Sequence, residues 1–281
     1  MSPLSVSGGH HTALHVVRHH SDREGPPVVL VHGAPDRSKN FAHVVHQLQD
    51  LPVTVYDRRG YGKSIEAATA PDGATIGGFG VHADDLIDLL DGKPSIVVGQ
   101  SAGASIALLA STRAPELFLA LGAWEPPMVP WTWWMGDLAY KRTKEWADHP
   151  EPAALAEEFN RSIIGDERWD GLRATTREML RSEGAAFRAD MASQGAPYFE
   201  LASLSVPIVV GCGTEADEEL FRQHPHQRLA DRIGAQLFIA EGADHFAHTN
   251  HPDAWVELVR RTVALAERSA TPPGAGDDLS G

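Results

Sequence analysis

Ser101 is the residue whose surroundings most clearly indicate chemistry. It lies at the centre of G-Q-S-A-G (99–103), after the β-branched run I-V-V and before an alanine- and leucine-rich stretch with helical spacing. This pattern predicts a strand, a sharp turn and a helix, which is the context that a G-x-S-x-G nucleophile elbow requires. The two glycines leave room for a serine on a strained turn. The helix that follows would direct free N–H groups and a positive dipole end at developing negative charge.

A second candidate element is the segment H-G-A-P at 32–35, which follows the continuous apolar run V-V-L-V. Such a run is typical of a strand buried on both faces of a parallel sheet. Gly33 would let the backbone fold back at the strand end, so that the N–H of Ala34 could point into a cleft, and Pro35 would stiffen the turn. Upstream of the predicted elbow, Ala34 is a natural second donor for an oxyanion hole.

Composition narrows the classes of function. The chain has 281 residues, of which 42% are hydrophobic and 22% charged, with a formal net charge of −14. The acidic balance argues against binding a nucleic-acid backbone or an anionic membrane surface. The single cysteine, Cys212, excludes an internal disulfide and fits a reducing compartment. Because neither a secretory leader nor a membrane-spanning stretch is visible, we expect a cytoplasmic protein with a small-molecule substrate, whose oligomeric state stays open.

Apolar runs alternate with helical patterns along most of the chain, which predicts an α/β fold. This pattern stops from 128 to 205, where a charged, helical segment with Trp131, Trp133 and Trp134 follows. We therefore expect a core of residues 1–127 and 206–268, an inserted helical cap at 128–205, and a disordered tail at 269–281. Trp131 and Trp134 are candidates for an apolar substrate pocket. The glycine-rich loop at 57–64 is interpreted as structural, its charges forming a local salt-bridged brace.

Four landmarks occur in one order: H-G-A-P at 32–35, Y-D-R-R-G-Y-G-K-S at 56–64, G-Q-S-A-G at 99–103 and G-A-D-H-F at 242–246. With them the chain resembles the α/β-hydrolase family from about residue 10 to 268, in its serine esterase or lipase branch with a helical cap. The resemblance implies a mostly parallel, twisted sheet of the eight-stranded type with helices on both faces. It also implies Ser101 as nucleophile, His245 as general base, and the N–H groups of Ala34 and Ala102 as the oxyanion hole.

The acid of the implied triad is where the sequence departs from the family pattern. Family members usually place it three residues after a glycine that ends the strand before the last, and that position here is Ala216. Asp217 lies one residue late and Glu215 one early. Part of the family uses the end of the preceding strand, where Glu125 stands before two prolines. Among these candidates Asp217 ranks first, Glu125 close behind and Glu215 third. The choice between them depends on the geometry of the loops.

These residues predict a serine hydrolase that cleaves a small or medium apolar carboxylic ester, thioester or lactone through an acyl-enzyme on Ser101. Neither a cofactor nor a metal is expected, since the run of His245, His248 and His251 lies in a loop and lacks the H-E-x-x-H pattern. Because a fold does not fix a function, carbon–carbon bond hydrolysis, cofactor-free oxygen chemistry and a catalytically silent ligand-binding module remain alternatives.

Overall fold

A seven-stranded sheet organises the chain in the computed structural model, which describes residues 14–65, 77–131, 133–134, 137–215 and 223–270. Its strands are β1 Val16–His19, β2 Val28–Val31, β3 Val53–Tyr56, β4 Ser95–Gln100, β5 Phe118–Trp124, β6 Ile208–Gly213 and β7 Gln236–Ala240. Their spatial order is β1-β3-β2-β4-β5-β6-β7, and only β1 runs antiparallel to its neighbour. The expected mostly parallel sheet is confirmed, with seven strands in the described part of the chain where the eight-stranded type was expected.

The strand order places two distant loops side by side. β2 and β4 are parallel neighbours, and Val31 pairs with Gly99 near the carboxyl ends of both strands. The chain leaves β2 toward β3 on one side, whereas β4 continues to β5 on the other, so this is a switch point of the sheet. Ligands of open α/β sheets bind in the crevice outside the strands at such a point. The loop after β2 and the turn after β4 therefore face the same crevice.

Helices cover both faces of the sheet. The helices are α1 Ala42–Gln47, α2 Phe79–Leu90, α3 Ala102–Arg113, α4 Asp137–Ala147, α5 Pro152–Ile164, α6 Asp166–Asp170, α7 Ala174–Ser182, α8 Gly184–Ala192, α9 Gln223–Ile233, α10 Ala247–Asn250 and α11 Pro252–Ala270. One apolar core holds side chains of α2, α3 and α9, and a second holds those of α1 and α11. Strands buried from both sides explain why the sequence shows near-continuous apolar runs.

Helices α4 to α8 form an insertion between β5 and β6, hereafter the helical insertion. It has a small core of its own, in which Leu155, Phe187 and Met191 are buried. Ala34, in the loop after β2, packs against this core. The helical insertion thus lies against the crevice-facing loop, as a cap would, and no strand interrupts it among its described residues.

Two sequence predictions change in extent. The charged loop after β3 is not braced only locally, because Arg58 pairs with Asp190 in the helical insertion and Arg59 pairs with Asp85 in α2. The last helix continues to Ala270, two residues into the predicted tail, and the remainder of that tail lies outside the described residues. Over the residues described, no helix is both long and apolar enough to cross a membrane.

Candidate active site

Ser101 sits at a strained junction between β4 and α3. Its φ is 51° and its ψ is −122°, a left-handed conformation that non-glycine residues adopt rarely. The serine N–H donates to the carbonyl of Trp124 at 2.8 Å, and its own carbonyl accepts the N–H groups of Ala104 and Ser105, which begin the helix. An observed outlier of this kind points to a functional position. The predicted strand, turn and helix are therefore present at the predicted residues.

The two glycines of the motif are required by close backbone approach. A Cβ on Gly99 would lie 2.5 Å from the backbone of Ala104, and one on Gly103 would lie 2.4 Å from the carbonyl oxygen of Val31. Backbone atoms cannot yield to such contacts without shifting α3 away from the sheet. Glycine at these positions thus lets α3 pack directly on the ends of β2 and β4.

Glu125 is the acid that the fold brings to His245. Its Oε2 lies 2.6 Å from Nδ1 of His245, and its Oε1 accepts the N–H of Gly213 at 2.8 Å. The Glu125 side chain is fully buried, whereas that of His245 keeps 12% of its surface exposed. The carboxylate comes from the end of β5 but lies against the end of β6, where the usual acid of this fold would stand. A carboxylate on Nδ1 fixes the neutral imidazole tautomer with the proton on Nδ1, so that Nε2 carries the lone pair that a base needs.

The other two acid candidates differ in what the structure describes of them. Glu215 is exposed, and its backbone N–H donates to the carbonyl of Ala243. Asp217 lies outside the described residues. Because Nδ1 carries a single hydrogen, the carboxylate of Glu125 already occupies the position that a triad acid would take.

Gln100 is a neighbour of His245 that the sequence reasoning missed. Its side-chain nitrogen donates to the carbonyl of His245 at 3.2 Å and lies 3.3 Å from the ring Nε2. On the other side, a Cβ on Gly33 would lie 2.0 Å from its Oε1. The buried amide of Gln100 therefore fills the space between the loop after β2 and His245. Its position inside the G-x-S-x-G motif was the only available signal.

Ala34 and Ala102, the predicted oxyanion donors, follow the ends of β2 and β4, which are neighbouring strands. Ala102 is the first residue of α3, so its N–H lies among those without an acceptor in the helix. The carbonyl of Gly33 accepts hydrogen bonds from Nη2 of Arg58 at 2.7 Å and from Nδ1 of His32 at 2.8 Å. The peptide that contains the Ala34 N–H is thus held from its carbonyl side, next to the elbow across the β2–β4 pair.

The two predicted pocket tryptophans have different surroundings. Trp131 is partly buried and packs edge-to-face on Tyr198, with ring centroids 5.0 Å apart. The Tyr198 hydroxyl donates to the carbonyl of Pro127, so this aromatic pair packs near the segment that follows Glu125. Trp134 is only 2% exposed and packs on His226, with centroids 4.8 Å apart. Trp131 has free surface to offer a ligand, whereas Trp134 lies within the apolar core.

Two titratable groups near the site are held neutral. Burial raises the pKa of the Cys212 thiol to about 12, and the nearby Glu125 carboxylate adds to the shift. Burial and the neighbouring Arg58 lower the pKa of His32 to about 3. A neutral His32 is what its contacts require, because its Nε2 accepts the backbone N–H of Arg58 at 2.8 Å. Within the described residues, no group of histidine, cysteine and acidic side chains is arranged to hold a metal ion.

Comparison with known proteins identifies the fold and the family. Residues 28–258 match the model of the alpha/beta hydrolase family. The uncharacterized hydrolase YraK of Bacillus subtilis (strain 168) is 35% identical over 111 residues, which cover 37% of this chain and 39% of YraK. The chain spans about two fifths of the length of the curated relatives it matches.

Two solved structures show the same fold across almost the whole chain. An esterase from Exiguobacterium antarcticum superposes with a TM-score of 0.70 at 17% identity, covering 93% of this chain and 98% of that one. A bromoperoxidase from Bacillus anthracis superposes with a TM-score of 0.65 at 17% identity, covering 90% and 96%. Since the family model spans well over half of the sequence and the fold agrees with it, this chain belongs to the alpha/beta hydrolase family.

Proposed function

We propose that the protein is a serine hydrolase that cleaves carboxylic esters, thioesters or lactones through an acyl-enzyme on Ser101. The observation that carries the proposal is the 2.6 Å contact between Glu125 Oε2 and His245 Nδ1, with a strained serine at the elbow. A base oriented by a buried carboxylate is what a serine hydroxyl needs to become a nucleophile.

In the proposed reaction, Ser101 Oγ attacks the substrate carbonyl carbon while Nε2 of His245 takes the hydroxyl proton. The N–H groups of Ala34 and Ala102 donate to the oxyanion of the tetrahedral intermediate. When the intermediate collapses, the imidazolium gives its proton to the departing alcohol or thiol. Water then attacks the acyl-enzyme, with His245 again taking and returning a proton, and Ser101 is regenerated with a free carboxylic acid.

Aromatic side chains near the acid favour an apolar acyl group of small or medium size. Trp131 and Tyr198 would line the pocket, because both rings pack near the segment that follows Glu125. We assign Trp134 a supporting role, since its ring is buried against His226. The reaction needs no metal or cofactor. A cytoplasmic location and a small-molecule partner remain part of the proposal.

Intact-mass labelling with a fluorophosphonate tests the nucleophile. We expect one adduct on the native protein and none on Ser101→Ala. Ser105→Ala is the matched control, because Ser105 is a buried serine one turn later on α3 whose hydroxyl donates to Pro127. Comparing kcat/KM for p-nitrophenyl acetate, butyrate and octanoate then shows which length of acyl chain the pocket accepts.

A folded native protein that forms no adduct would remove the acyl-enzyme mechanism. The result would then favour a catalytically silent ligand-binding module or a non-hydrolytic activity as the function of the protein. Since a bromoperoxidase shares this fold, halide oxidation with peroxide and oxygen uptake are measured on the same preparation.

A further inference from the structure

Asp190 of α8 is a fully buried carboxylate in the helical insertion, outside the proposed triad. Its Oδ2 accepts hydrogen bonds from Arg58 Nη1 at 3.0 Å and from the Tyr61 hydroxyl at 2.7 Å. Its Oδ1 accepts the Gly78 N–H at 3.1 Å and lies 2.9 Å from Nε2 of His82. Burial alone would raise the pKa of this carboxyl, but Arg58 and the hydrogen bonds hold the pKa below its ordinary value. Asp190 is thus a saturated anion in the protein interior.

The same Arg58 also binds the loop that carries Ala34. Its Nε donates to the carbonyl of His32 at 3.0 Å, and its Nη2 donates to the carbonyl of Gly33 at 2.7 Å. The guanidinium is fully buried, so these bonds are made in a medium of low dielectric. One planar group therefore connects a carboxylate of the helical insertion to two successive carbonyls after β2.

We call these hydrogen bonds of Arg58, together with its ion pair to Asp190, the clamp. Because the peptide bond is planar, the clamp also fixes the direction of the N–H that follows the Gly33 carbonyl. The Gly33–Ala34 bond is trans, so the Gly33 carbonyl and the Ala34 N–H point in opposite directions. With the carbonyl held by Arg58 on the interior side, the N–H faces away from Arg58. A rotation of that plane would break the bond to Arg58 and turn the donor out of position.

We propose that Asp190 is a positioning residue for the oxyanion hole: it fixes Arg58, which holds the Gly33–Ala34 peptide with the Ala34 N–H directed at the substrate oxygen. The inference rests on the proposed function. It makes the helical insertion a part of the catalytic machinery in addition to a cover for substrate.

A second ion pair also attaches the helical insertion to the core, but it does not bind the loop after β2. Glu183, the residue directly before α8, has a fully buried side chain and accepts hydrogen bonds from Arg37 and from the N–H of Gly62. Neither Arg37 nor Glu183 contacts the carbonyls of His32 or Gly33 in any hydrogen bond of the described residues. The two pairs anchor the same helix, and only that of Arg58 binds the oxyanion loop.

The test compares two double variants that remove both charges of a pair, so that no buried charge is left alone. Arg58→Met/Asp190→Leu removes the clamp, and Arg37→Met/Glu183→Leu removes the other anchor. Loss of oxyanion stabilisation lowers kcat and kcat/KM together. Since one oxyanion donor accounts for roughly 10²–10³ in kcat, we expect the clamp variant to lose about 10- to 100-fold in kcat with KM within about twofold. Its Ki for a trifluoromethyl ketone should rise in proportion, while the control variant stays within about threefold of native.

Hydrogen exchange of the peptide spanning 32–36 gives a readout that does not depend on turnover. We expect faster exchange there in the clamp variant alone. If the clamp double variant does not fold, Arg58→Lys replaces it, because lysine keeps the charge beside Asp190 but cannot fork to two carbonyls.

Equal losses in both variants, or a change confined to KM, would overturn the positioning role. Unchanged exchange over 32–36 together with unchanged kcat would do the same. An unlabelled native protein would instead count against the proposed function, while the exchange measurement still reports on the clamp.

Discussion

Glu125 and Asp190 are both carboxylates with no exposed surface, yet their partners differ in kind. Glu125 binds an imidazole that must gain and lose a proton in every proposed turnover, and that ring remains partly exposed to the crevice. Asp190 binds a guanidinium whose charge is permanent, and the His82 imidazole beside its other oxygen is fully buried, which lowers the pKa of that histidine. A buried anion beside a titrating partner can serve chemistry, whereas one beside a fixed cation serves structure and orientation. We therefore expect loss of Glu125 to affect rate first and loss of Asp190 to affect folding first.

The largest expected effect is on rate, in Glu125→Gln. The amide keeps an oxygen for the Gly213 N–H but cannot hold the imidazole in the required tautomer or stabilise its protonated form. We expect kcat with an activated ester to fall by about 10³- to 10⁴-fold, with the melting temperature nearly unchanged. Glu215→Gln, at an exposed carboxylate, should keep native activity. Retention of more than a tenth of native kcat in Glu125→Gln would assign the acid elsewhere.

The largest effect on stability is expected from Asp190→Asn, which leaves Arg58 buried without its anion. Breaking one side of a buried pair costs about 3–5 kcal/mol of unfolding free energy. Urea unfolding measures it. Asp166→Asn is the control, because Asp166 is 80% exposed where it pairs with Arg161, and such pairs contribute at most about 1 kcal/mol. Equal shifts in the two variants would contradict the distinction.

A smaller effect is expected from acid, through His32. Its pKa in the fold is about 3, whereas an unfolded histidine titrates near 6.5, so the unfolded state binds more protons below pH 6.5. Stability should therefore fall as the pH falls, by about 2 kcal/mol between pH 8 and pH 5 from this residue alone. His82, whose pKa is lowered by burial, acts in the same direction.

Urea unfolding at pH 8, 6.5 and 5 checks this for the native protein and for His32→Gln. The variant should show a flatter dependence on pH. His43→Gln removes an exposed histidine of α1 and should leave the dependence unchanged. Parallel curves for native protein and His32→Gln would contradict the assignment.

The smallest expected effect concerns one of the hydrogen bonds that Asp190 accepts. Tyr61→Phe removes one of the hydrogen bonds to Oδ2 and leaves Arg58 in place. Because a hydrogen bond to a charged group contributes about 1.5–3 kcal/mol, we expect a stability loss at the lower end of that range and kcat within about threefold of native. Tyr140→Phe, at an exposed tyrosine that donates to Gly195, should change neither quantity.

What the sequence could predict follows from the range of the interactions concerned. The elbow was found because its signals are local: strand, glycines, serine and helix occur within twenty residues. The strands were found because a strand that is buried on both faces has a continuous run of apolar residues. The loop after β2 was predicted as an oxyanion loop from its position after such a run, and that role is part of the proposed function.

What the sequence left open or missed depends on contacts between distant residues. Glu125 and His245 are separated by 120 positions, so the choice of acid rested on how two loops meet. Arg58 and Asp190 are separated by 132, and Asp190 carries no motif, which is why the charges after β3 were interpreted as a local brace. A pair of arginines in a glycine-rich loop at a strand end gave the only hint of distant anions.

The buried Cys212 has a practical consequence. It is the single thiol of the chain, is buried on β6 between β5 and β7, and has a pKa of about 12 in the fold. Since the thiolate is the reactive form, alkylating reagents should not modify it in the native state. Alkylation of Cys212 would therefore require β6 to open. Glu125 accepts a hydrogen bond from the end of that strand. The rate of that labelling would measure, without any introduced probe, how often β6 moves away from the Glu125 carboxylate.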